Sequence, residues 1–69
     1  MKFRIMYTIS TGTTYIENFK NADDMRDWFE ESGLADAYEN GEIKNLIFLR
    51  AAVNPFSYWV DFRPAWLWN

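Results

Sequence analysis

The chain has 69 residues, with seven Lys+Arg against ten Asp+Glu, a formal net charge of -3, and neither Cys nor His. That length holds one domain. The composition excludes a disulfide framework, Cys- or His-based metal sites, a thiol nucleophile and an imidazole acid–base catalyst. Aromatic residues make up 20% of the chain, which separates it from disordered acidic tails. It also shows how so short a polypeptide builds a core, because each ring buries roughly 150–250 Å².

From the N-terminus, residues 2–10 alternate. Phe3, Ile5, Tyr7 and Ile9 fall on one side and Lys2, Arg4, Met6 and Thr8 on the other, the period of a half-buried strand. Thr11-Gly12-Thr13 reads as a turn. Residues 14–19 read as the returning strand of a hairpin, with Tyr15, Ile16 and Phe19 available for packing.

Asn21 is a good N-cap, and Asp23 and Asp24 occupy the first turn, where the helix dipole favours anions. Met25, Trp28 and Phe29 recur at helical spacing, and Gly33 is expected just past the helix end. Residues 34–39 are expected to add a short helical turn with Leu34, Ala37 and Tyr38 inward, closed by Asn40-Gly41. Residues 43–51 form the most apolar segment and suit a central strand covered in part on both faces; a loop over 52–55 follows. Phe56, Tyr58, Val60 and Phe62 alternate with Ser57, Trp59, Asp61 and Arg63 as a fourth strand, which Pro64 ends. The expectation is a single α+β domain over 1–69, in the order β-β-α-β-β. It is a four-stranded antiparallel sheet with one helix, plus the short helical turn, packed on one face. Residues 64–69 form a short aromatic C-terminal tail.

Charge is segregated along the chain. Residues 17–42 hold nine acids and two bases, a net of -7; the remainder holds one acid, Asp61, and five bases, a net of +4. Asp23, Asp27, Glu30 and Glu31 are related by i+4, i+7 and i+8 and share one helix face, which Asp36, Glu39 and Glu42 extend. Carboxylates four residues apart rise ~6 Å along a helix, comparable to two axial phosphate steps of ~3.4 Å on one DNA strand. Such a row competes with nucleic acid for a basic groove; the plainer reading is a solvated helix face. Trp66 and Trp68 either fold back on the core or anchor an interface, since Trp is enriched at binding hot spots. A homodimer through this tail or a sheet edge would suit a core this small.

Other motifs lack essential parts. Asp36, Asn40, Gly41 and Ile43 match positions of a calcium loop, but Tyr38 stands at position 3 and Ile47 at position 12, where a bidentate Glu is needed. Thr11-Gly12-Thr13-Thr14 has no P-loop Lys, and Ser10, Ser32 and Ser57 have no His for a triad. No catalytic, cofactor or metal residues are therefore expected. Trp59, with Lys44 and Arg63, could stack bases on a sheet, but the negative total charge argues against direct nucleic-acid binding. No apolar run is long enough for a signal peptide or a membrane span, so the expected location is the cytoplasm and no membrane partner is expected.

In size, acidity, aromatic content and hairpin–helix–hairpin order, the chain resembles the small early or accessory proteins of bacteriophages that bind and redirect host proteins. Some of these are acidic DNA mimics aimed at nucleoid proteins, nucleases, polymerases or defence complexes. The resemblance implies a non-enzymatic inhibitor or modulator acting in the host cytoplasm on a host protein with a basic surface. Asp23, Asp27, Glu30, Glu31, Asp36 and Glu39 would then form the contact face, joined by Trp66 and Trp68. A net charge of only -3 departs from the strongest mimics and confines the mimicry to a local ridge.

Overall fold

The computed structural model describes residues 2–52 and 58–64, Tyr58 by its backbone alone. The elements are β1 (Phe3–Ile9), β2 (Thr14–Phe19), α1 (Ala22–Glu31), α2 (Leu34–Glu39), β3 (Ile43–Ala52) and β4 (Tyr58–Phe62). All four strands join one antiparallel sheet in the order β2-β1-β3-β4. The expected α+β architecture is present, with the short turn over 34–39 a helix in its own right. Residues 56–57 of the expected fourth strand, 53–55 of the expected loop and 65–69 of the tail lie outside the described residues; Ala52 belongs to β3 rather than to that loop.

The β1–β2 connection follows from one glycine. Ile9 N–H donates to the Thr13 carbonyl, and Gly12 N–H donates to the Ile9 carbonyl. This is a three-residue hairpin loop that needs a left-handed residue before the returning strand, and Gly12 has φ of 100°. Closure at Ile9 and Thr13 sets the register, with Tyr7 opposite Tyr15 and Ile5 opposite Glu17.

One face of the sheet carries the core. Ile5, Phe19 and Phe48 from the strands meet Met25 and Phe29 of α1, Leu34 of α2 and Ile43; Ile5 and Met25 are fully enclosed. Rings dominate the contacts: Phe29 meets Phe48 edge-on with centroids 5.3 Å apart, and Trp28 packs on Phe19 at 5.6 Å and on Tyr7 at 6.2 Å. The alternation of residues 2–10 is realised, since Phe3, Tyr7 and Ile9 pack against this core and Ile5 lies within it.

Two expectations of packing are met only in part. Tyr15 stacks on Tyr7 but stays 43% exposed on an edge strand, and Ile16, 48% exposed, lies beside Met6 on the sheet face away from the helices. Tyr38 is 38% exposed; α2 has only six residues, and its buried contact with the core is made by Leu34.

Among the described residues, the opposite sheet face carries no helix. The registers align Arg4 with Asn18 and Leu49, Met6 with Ile16 and Ile47, and Thr8 with Thr14 and Asn45 on that side. Arg4 Nε donates to Asn18 Oδ1 at 2.7 Å, and its guanidinium sits 4.0 Å from the Trp59 ring centroid.

Candidate protein-binding face

The acidic face is built by α1. Asn21 has an extended backbone, and its Oδ1 accepts from Asp24 N–H at 2.8 Å, starting the helix where capping geometry requires. Its other end turns on Ser32, whose Oγ donates to the Phe29 carbonyl and accepts from Leu34 N–H. Gly33 takes φ of 75° between the two helices, a conformation that costs a residue without Cβ little.

Between these ends, Met25 and Phe29 define the buried stripe. At roughly 100° per residue, Asp23, Asp24, Asp27, Glu30 and Glu31 fall within an arc of roughly 120° on the opposite side. All five are exposed. The four carboxylates anticipated on one face are therefore brought together, and Asp24, read only as a first-turn residue, joins them. Its position was available from the same angular reckoning, measured from Met25 and Phe29 rather than from Asp23.

Arg26 is the base flanking this row. It reaches Asp23 at 4.0 Å and Asp27 at 3.7 Å, with Asp23 84% and Asp27 60% exposed. Contacts so long and wet contribute little. No ion pair forms to Asp24, Glu30 or Glu31 among the described residues. The ridge is thus partly screened at its N-terminal half and open at its C-terminal half.

Asp36 and Glu39 are exposed on α2, in its first turn and at its last residue, and Glu42 is exposed just before β3. Asp36 and Glu39 belong to α2, and the Glu42 carbonyl accepts from Ser10 N–H at the end of the sheet, so none of the three lies on α1 itself. Trp66 and Trp68 lie outside the described residues. The segment that partly matched a calcium loop is helical from Leu34 to Glu39, and Asn40 is its C-cap. No group of three or more Asp or Glu is arranged to hold a metal ion among the described residues.

Trp59 has a cationic neighbour, but it is Arg4 from β1 rather than the expected Lys44 or Arg63 that stands over its ring. Sequence proximity pointed to Arg63; the contact to Arg4 depends on strand order, which no local pattern carries. No helix among the described residues is long and apolar enough to cross a membrane. Comparison with protein-family models, curated proteins and solved structures finds no match to this chain.

Proposed function

We propose that the protein is a non-enzymatic binding module of the phage inhibitor type. The outer face of α1 mimics a short run of nucleic-acid phosphates and occupies a basic surface on a host protein, such as a nucleoid protein, polymerase or nuclease. The observation that carries this reading is the arrangement of α1: five exposed carboxylates diametrically opposite Met25 and Phe29, with one weakly engaged arginine at their flank. Asp23, Asp27 and Glu31 step along the axis by ~6 Å each, and a charged face of this kind speeds encounter with a cationic partner.

The test is displacement of labelled duplex DNA from purified host DNA-binding proteins of those three classes, followed by anisotropy. The wild-type chain releases DNA from at least one of them. Asp27→Lys with Glu31→Lys weakens release severalfold while far-ultraviolet circular dichroism stays unchanged. Release insensitive to both the double reversal and added salt, or no release from any class, would remove the proposal.

A further inference from the structure

The outer edge of β2 has the geometry of a self-complementary pairing surface. Ile9 N–H points to Thr13, and Ala51 N–H points to the Lys2 carbonyl. Backbone direction alternates along a strand, so Tyr7, Ile5 and Phe3 address β2 and the even residues of β1 address β3. In β2, Tyr15, Glu17 and Phe19 therefore bond to β1. Thr14, Ile16 and Asn18 turn their N–H and C=O groups outward, where no further strand lies among the described residues.

The devices that usually blunt an edge are sparse here. Residues 14–19 contain no Pro, no Lys and no bulge, and their one charge is Glu17. The opposite edge, β4, has five residues among those described and runs into Pro64.

We infer that two copies of this chain pair antiparallel through β2, with Ile16 opposite Ile16 of the second copy on the twofold axis, giving one continuous eight-stranded sheet. Three features select this partner and this register. Ile16 has outward backbone groups, so the axial pair exchanges both hydrogen bonds. Thr14 then faces Asn18 and Tyr15 faces Glu17, so no like charges oppose and a phenol meets a carboxylate. On the helix-free face, the row of Ile47, Met6 and Ile16 continues into its own copy, covering the most exposed aliphatic side chain of the edge.

The twofold axis stands perpendicular to the sheet, so both α1 helices lie on the same side. Their acidic faces repel, and salt strengthens the dimer. This is the opposite of the salt response of an α1–basic partner complex, so the two readings fail separately. The pairing rests on the β2 edge alone and stands whether or not the acidic face binds anything.

Sedimentation velocity on the full chain over a range of concentrations tests it. The wild type shows a reversible monomer–dimer equilibrium that shifts to dimer with salt. Ile16→Lys and Ile16→Glu are each monomeric, and mixing them restores a dimer, because only an axial residue faces itself. A synthetic chain carrying N-methyl-Ile16 keeps the side chain and the β1–β2 ladder, loses both axial donors, and dimerises about tenfold more weakly; it also covers the case in which a charged variant fails to fold. A wild type monomeric at every concentration, a dimer untouched by N-methylation, or folded charge variants that do not reassociate on mixing would each overturn the inference.

Discussion

Arg4 and Trp59 meet across the helix-free face of the sheet, the guanidinium 4.0 Å from the ring centroid, although their strands are not neighbours. Contact between β1 and β4 has to pass over β3, and Leu49, paired with Arg4 in the register, is only 8% exposed on this side of the sheet. Arg4 is held at the same time by Asn18 on β2, so one side chain links both outer strands. A double-mutant cycle of Arg4→Ala and Trp59→Ala, followed by urea unfolding, should give a coupling of about 0.5–1 kcal/mol. Arg4→Lys should recover only part of it, because an ammonium cannot stack its plane on the indole while holding Asn18.

The core is sensitive to single deletions. Met25 is fully enclosed between α1 and the sheet. Met25→Ala should cost about 2–5 kcal/mol, close to the ~3–5 kcal/mol that a core of this size supplies. The variant should therefore be largely unfolded at 25 °C by circular dichroism. Ile5→Val, at the other fully enclosed position, removes one methyl at about 0.5–1.5 kcal/mol and should stay folded with a lower urea midpoint.

The helix start should respond to its cap. Asn21 Oδ1 satisfies the Asp24 N–H, and Asn21→Ala should lower stability by about 1 kcal/mol. Asn21→Asp keeps the acceptor and adds a charge that the helix N-terminus favours, although Asp23 and Asp24 nearby oppose it. Its urea midpoint should fall between those of the wild type and the alanine variant.

These features differ in how far they can be read from the sequence. Asn21 followed by Met25, Trp28 and Phe29 is a local signal, and α1 follows from it. The alternation over residues 2–10 likewise names the buried side of β1. Strand order carries no such mark. That Phe3 lies opposite Arg50, and Phe48 opposite Phe62, is decided by which long-range pairing buries the most apolar surface. That Tyr15 and Ile16, read as available for packing, stay exposed follows from this, because only the order β2-β1-β3-β4 shows that β2 is an edge. The carboxylates of α1 were legible because a helix converts spacing into direction; the Arg4–Trp59 contact was not, because it crosses a strand between them.

Tyr7 gives the fold an alkaline dependence. Its phenol lies over Tyr15, with ring centroids 5.3 Å apart, and close to Trp28. Burial, helped by the charge of Glu17 and by Tyr15, raises its pKa above the ordinary 10.0. The folded state therefore holds this proton more tightly than the unfolded chain does. The associated stability is fully present below about pH 10 and is lost as pH rises through the folded-state value. Urea midpoints should fall above pH 10, and Tyr7→Phe should flatten that fall. An equally steep fall in the variant would assign the dependence to other groups.

The C-terminal half of α1 sets stability against charge display. The helix has acids in its first turn, where the dipole welcomes them, but no base in its last turn, where Glu30 and Glu31 stand instead. Carboxylates there oppose the dipole, and Asp27 repels Glu31 at i,i+4. Glu31→Lys reverses both effects and should raise stability by about 0.3–1 kcal/mol. Under the proposed function, the same substitution should weaken displacement of DNA from the host protein. Gain in urea midpoint with loss of binding is the outcome expected of a charge held in place for recognition. Gain in midpoint with binding unchanged would make α1 an ordinary solvated face whose acids serve solubility alone.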